Sequence, residues 1–406
     1  MKFVKDLRTI MLVTLFFVWF PNSVNAKILW GKDLVDTNTN SVPLASCLNK
    51  DVNGIIVMTR ECPKGEHPVS GGDLALWEIG IDGSATRTEP KDASGNRIWT
   101  DVDYIGFGCK VGSDKFGNFL IVGLNKPGEK RQKIAVVSKA DKAKIALTPN
   151  SIESRSMMKM IPLQDNTFVL VGKRESDGFC LRIDNNGRVL QEKLFDLGNT
   201  EMFSGADKLK SDDSTLAVVG LSANLSMNDY HKNYAESFIL IYDPNLILVH
   251  EDHFANENSV SMFSLLPPKV CCLNNGNIAV LYKKENADPN KTLLWVRCYT
   301  KELKLLWDKE IFVADKQPFA MDITARDSGG FTVGVIQSIV QQSNSLELDS
   351  FDDEGGKINQ INHKGIIGIG GFNLMHLNDK VMAVFEEGTQ GNIKESSVKT
   401  KVIALD

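Results

Sequence analysis

The chain has 406 residues, of which 42% are hydrophobic, 24% charged and 8% aromatic, a composition of globular rather than disordered or fibrous proteins. Its net charge is −5 and no stretch gathers Lys and Arg into a basic stripe, which argues against nucleic acid as a partner. A chain of this length buries a large core without covalent staples, and its seven cysteines are irregularly spaced with no C-x-x-C, so buried free thiols are expected, with one or two disulfides allowed.

Residues 1–26 read as a cleavable secretory signal. Lys2, Lys5 and Arg8 form a basic start, IMLVTLFFVWF an apolar run, and Val24-Asn25-Ala26 a small-residue cleavage site. The run is 11 residues long and Pro21 follows it, whereas a membrane span takes about 20. No later segment is apolar enough to span a bilayer. Cleavage removes three basic residues and one acidic one, taking the net charge to −7. The expected location is therefore secreted, periplasmic or otherwise extracellular.

From residue 27 onward a unit of short strands recurs. One strand type reads GIIVMT (54–59), FLIVGL (119–124), FVLVGK (168–173), LAVVGL (216–221), IAVLYK (278–283), FTVGVI (331–336) and VMAVFE (381–386). Such nearly continuous apolar runs belong to strands covered on both faces. Turn pairs such as Asn53-Gly54, Gly117-Asn118, Asn275-Gly276 and Gly329-Gly330 precede several of them and predict a hairpin from the strand before. A second type ends at Asp82, Asp141, Asp184, Asp243, Thr300, Asp352 and Asp406, and in most units a turn and a more polar strand follow. Polar alternation suits an outermost strand with one face in water.

Seven copies of four short antiparallel strands predict one all-β domain over 27–406, a seven-bladed β-propeller, with six or eight blades as the neighbouring counts. The last copy stops at its third strand. KILWGKDL (27–34) carries the fourth-strand pattern, with Trp30 in the slot held elsewhere by Gln191, His250 and Trp307. Residues 27–36 are thus expected to pair into the last blade and close the ring, removing open sheet edges. Asp184-Asn185-Asn186-Gly187-Arg188-Val189-Leu190 and Leu305-Leu306-Trp307 resemble bacterial propeller repeats of the quinoprotein-like kind. That resemblance implies fold and export, and by itself no activity.

Few residues carry a chemical pattern. Cys271-Cys272 resembles the adjacent cysteines of quinoprotein alcohol dehydrogenases, whose disulfide the bound quinone stacks against, and that resemblance makes the pair the candidate for a cofactor role, although the apolar VCCL context suits buried thiols. Cys298 is expected two strands away, too far for a disulfide to either. His250 and His253 fall on opposite faces of a strand and cannot chelate one ion. Asp349, Asp352, Asp353 and Glu354 make an acidic turn without the D-x-D-x-D-G spacing, so calcium is the one cofactor left open and no metal ligand set is assigned. No G-x-S-x-G elbow or phosphate loop occurs, and no catalytic residue is assigned.

The second-to-third-strand connections vary most, and in an up-down blade all emerge on one face, as binding loops on a rigid scaffold do. Lys126, Lys130 and Arg131 in one, and Tyr230, His231 and Tyr234 in another, are the candidate binding residues. The sequence favours a monomeric, non-catalytic binding or scaffold module for a protein or glycan through that face. The alternative is a propeller enzyme, quinone-dependent or polysaccharide-active, with carboxylates at the central channel.

Overall fold

The computed structural model describes residues 28–36, 38–49, 53–64, 72–96, 109–124, 131–153, 156–224, 234–258, 266–284, 288, 291–314, 318–337, 344–366, 372–388 and 398–405. Among them are strands and turns but no helix, and the strands form seven antiparallel blades. Blades 1 to 6 occupy residues 39–88, 110–153, 156–195, 200–258, 269–314 and 320–366, each with four strands running from the channel outward. Blade 7 takes three strands from 373–405 and its outermost from Ile28–Asp33. All seven apolar runs are the second strands of their blades, mostly buried on both faces, while outer strands such as Val189–Phe195 stay largely exposed.

The expected closure is present. Trp30 pairs with Ala404, Gly31 with Ile403, Lys32 with Val402 and Asp33 with Lys401. Beyond the ladder, the Leu34 N–H donates to the Thr400 carbonyl at 2.9 Å and the Leu34 side chain is wholly buried.

The core is not one mass but seven apolar seams, one between each pair of neighbouring blades. Where blade 7 meets blade 1, for example, Met382, Val384, Val402 and Ala404 pack on Ile55, Val57, Ala75 and Trp77. Each blade buries its faces only against its neighbours, so ring closure completes the core rather than decorating it.

The recurrent Asp is a turn former. The Asp184 carboxylate accepts the N–H groups of Asn186 and Arg188, at 2.9 and 2.8 Å. Asp243 accepts those of Asn245 and Ile247 at 2.8 Å each, and Asp352 those of Glu354 and Gly356 at 3.1 and 2.6 Å. Thr300 does the same with its hydroxyl, which is why it can replace Asp. These third-to-fourth-strand turns then receive the preceding blade's outer strand. The Trp30 indole N–H donates to the Ile81 carbonyl at 3.0 Å, Asn150 Nδ2 to Asn186 O at 2.9 Å, and Gln191 Nε2 to Asn245 O. Trp307 lies against Gly355. The Trp slot is thus a docking position between blades in two of the seven repeats.

Gly187 shows how tight these turns are. Its φ is +74°, and a Cβ there would sit 2.7 Å from Ile134 Cγ2 of blade 2. Gly187→Ala is expected to cost about 2 kcal/mol, from the left-handed backbone plus overpacking, read as a lower denaturant midpoint with unchanged slope.

Candidate functional site

The two faces of the disc differ. First-to-second and third-to-fourth turns lie on one, here the hairpin face. Second-to-third connections and the links between blades lie on the other, the loop face. Four of the six candidate binding residues, Lys126, Lys130, Tyr230 and His231, fall outside the described residues. Arg131 is held within its own blade, donating from Nε to Ser151 Oγ at 2.8 Å and from Nη2 to Ser151 O at 2.7 Å. Tyr234 is half-buried in blade 4, and burial, then the Glu236 carboxylate, push its phenol above the ordinary range. Arg131 and Tyr234 sit in separate blades, and no described contact joins them.

Cys271 and Cys272 are free thiols on opposite sides of their strand, Cys271 in the seam with blade 6 and Cys272 in that with blade 4. Burial holds both well above the usual thiol range, with Asp207 adding to it. Cys298 stands opposite Ala279, which stands opposite Cys271, two strands away as expected. In the acidic turn the carboxylates serve the backbone. Besides Asp352, the Asp353 carboxylate accepts the Gly330 N–H at 2.9 Å and Asp349 pairs with Lys357 at 2.8 Å. His253 pairs with Glu236 at 3.2 Å.

What the ring assembles is a cavity of about 630 Å³ in the central channel, open toward the hairpin face and lined from every blade. That is within the range of small-ligand sites. Its wall mixes apolar groups such as Met160, Leu163 and Met375 with Ser46, Gln164 and Thr324. Four lysines, Lys115, Lys159, Lys208 and Lys210, face three aspartates, Asp114, Asp207 and Asp327.

Three channel carboxylates are already committed to the fold. Asp207 accepts the Cys272 N–H of blade 5 at 2.8 Å, and Asp322 accepts the Leu374 N–H of blade 7 at 2.8 Å. Asp114 caps its own hairpin through the N–H groups of Phe116 and Asn118, both at 2.8 Å. Asp327 meets His376, whose Nδ1 accepts the Asp327 N–H at 3.1 Å. Burial, above all, holds that imidazole below its ordinary range, so it is neutral.

The lysines are the reverse case. Among the described residues Lys159 Nζ has no carboxylate partner, and it is electrostatically coupled to Lys110 and Lys269 on the inner strands of blades 2 and 5. Lys110 donates to the Cys109 carbonyl and Lys269 to the Ser204 carbonyl, each at 3.0 Å. Burial, with Lys269 and Lys159 nearby, lowers Lys110 from 10.5 to about 8; burial lowers Lys269 as well. Three ammonium groups from three blades with one nearby carboxylate, Asp322, make the channel a place of unspent positive charge.

No protein-family model matches the chain, and no curated protein is detectably similar to it. Solved structures do match. One is a protein of unknown function from Dyadobacter fermentans, with TM-score 0.52 and 10% identity over 94% of this chain and 99% of that one. Another is the polysaccharide lyase Uly1, with TM-score 0.50 and 11% identity over 89% of each chain. At such identities the likeness is one of fold.

Proposed function

We propose that this propeller is a non-catalytic, exported binding module that takes a small anionic ligand, such as the carboxylate groups of an acidic oligosaccharide, into its central cavity. The observation that supports the reading most is the division of labour in the channel. Asp114, Asp207 and Asp322 are spent as backbone acceptors, whereas Lys159 has no carboxylate partner among the described residues and Asp322 alone faces the lysines behind it. Polysaccharide-active propellers share the fold, but that pairing argues against a catalytic carboxylate pair here. The reading the sequence favours, a protein or glycan partner on the loop face, predicts binding indifferent to these lysines.

Titration calorimetry with a galacturonate oligosaccharide, its neutral galactose counterpart and inorganic phosphate tests this. The galacturonate is expected to bind, the neutral sugar not, and Lys159→Glu to weaken binding about 30-fold or more, equivalent to ~2 kcal/mol. Equal binding of charged and neutral sugars, or no effect of Lys159→Glu, contradicts the reading.

The pH dependence has a defined sign. Lys110 titrates near 8 in the folded protein and near 10.5 when unfolded, so the unfolded chain holds more protons across that window. Stability of the unliganded protein therefore rises as pH rises from about 8 toward 10.5. Anion affinity moves oppositely, falling as pH climbs through about 8 because the neutral amine attracts no anion. Lys110→Met is expected to flatten both profiles. Export is checked by N-terminal sequencing of the mature protein, which should begin at Lys27.

A further inference from the structure

On the loop face, at the seam of blades 3 and 4, three carboxylates converge. Asp177 opens the third strand of blade 3 (Asp177–Asp184), Asp196 follows its outer strand (Val189–Phe195), and Glu201 lies near the start of the inner strand of blade 4 (Thr200–Leu209). One oxygen from each lies within 4.8 Å of the others. Exposed acidic groups often gather without consequence, but Glu201 is not exposed at all: its accessibility is 0%. Its Oε1 accepts the Asn199 N–H at 3.2 Å and the Ser222 hydroxyl at 3.0 Å, while Oε2 is buried with no hydrogen-bond partner. Among the described residues no Lys, Arg or His pairs with any of the three.

A buried carboxylate with one oxygen unsatisfied, facing two more carboxylates, is costly unless a cation compensates it. The surroundings are built to hold the three in place. Ser176 Oγ donates to Asp177 Oδ1 at 2.7 Å, the Gly198 N–H donates to Asp196 Oδ1 at 2.7 Å, and the Glu201 N–H donates to the Ser176 carbonyl at 2.6 Å. Each aspartate thus keeps its second oxygen.

We propose that Asp177, Asp196 and Glu201 form a calcium site that clamps blade 3 to blade 4. The donors are all oxygen, which selects a hard cation over zinc or copper. Three oxygens within 4.8 Å of one another need only small side-chain adjustments to meet one ion at calcium's bond lengths of about 2.3–2.6 Å, and larger ones at magnesium's of about 2.1 Å. Asp196 is exposed, leaving a side open for the waters that complete calcium's six to eight ligands. The site lies on the face opposite the cavity and is independent of the anion-binding reading.

Thermal unfolding of the mature chain with chelator, and with calcium up to about 1 mM, tests it. Calcium is expected to raise the midpoint by about 3 °C or more in the wild type. The shift should vanish in Asp196→Asn and Glu201→Gln, and persist in Asp352→Asn of the acidic turn. In chelator, Glu201→Gln should unfold at or above the wild-type midpoint, because the empty site is relieved of one charge while the Oε1 acceptor is kept. Three results overturn the proposal: no calcium shift in the wild type, a shift that survives Asp196→Asn, or one abolished by Asp352→Asn alone. So does a Glu201→Gln protein less stable than wild type in chelator, which would make Glu201 a purely structural acceptor.

Discussion

Deleting residues 28–36 is expected to lower the unfolding free energy by more than about 5 kcal/mol and to produce larger species than the intact chain forms. The deletion removes the buried Leu34, the Trp30 indole with its bond to Ile81, and a ladder that runs from Ile28 opposite Leu405 to Asp33 opposite Lys401. It also bares the edge of Val398–Leu405, a ready template for pairing with another chain. Because the seam between blades 7 and 1 draws on the same residues, the loss reaches the core. Leu34→Ala, at about 3 kcal/mol, gives a graded version should the deletion not fold. Guanidinium unfolding and size-exclusion chromatography read both, and a deletion protein with wild-type midpoint and elution would refute the clasp.

Asp322→Ala is expected to cost about 3 kcal/mol, although the residue sits in a channel where a catalytic carboxylate would be sought. Its two oxygens accept the Ile323 N–H at 3.0 Å and the Leu374 N–H at 2.8 Å, joining blade 6 to blade 7. Its charge also offsets Lys269, whose burial already lowers its proton affinity. Truncation leaves a buried N–H orphaned and a lysine uncompensated, whereas Asp322→Asn retains one acceptor and should cost about 1 kcal/mol. A carboxylate kept for chemistry behaves otherwise, since its removal leaves stability unchanged or improved. Denaturant unfolding of the two variants distinguishes these roles.

Much of the architecture is legible because it follows from periodicity. Two-sided apolar runs such as FVLVGK mark second strands, turn-forming Asp184 and Asp243 mark the ends of third strands, and the Trp30 slot marks the clasp. Each signal is local and recurs, so the seven copies reinforce one another. The functional features are neither local nor recurrent. Lys110 and Lys269 open inner strands of only four residues, Lys110–Ser113 and Lys269–Cys272, too short to show a period. They meet Lys159 only because the ring closes. Asp177, Asp196 and Glu201 come from two strands of neighbouring blades and the link between those blades, and match no ligand spacing. Conversely, the acidic turn and the Cys271-Cys272 pair stand out in sequence because their residues are adjacent, yet adjacency on a strand sends neighbours to opposite faces.

The crystal structure of the mature protein with a bound galacturonate oligosaccharide tests the central claim most directly. The account predicts the sugar in the central cavity, entered from the hairpin face, with a carboxylate within hydrogen-bonding distance of Lys159 Nζ. A sugar seated on the loop face, with the cavity left to solvent, would contradict it.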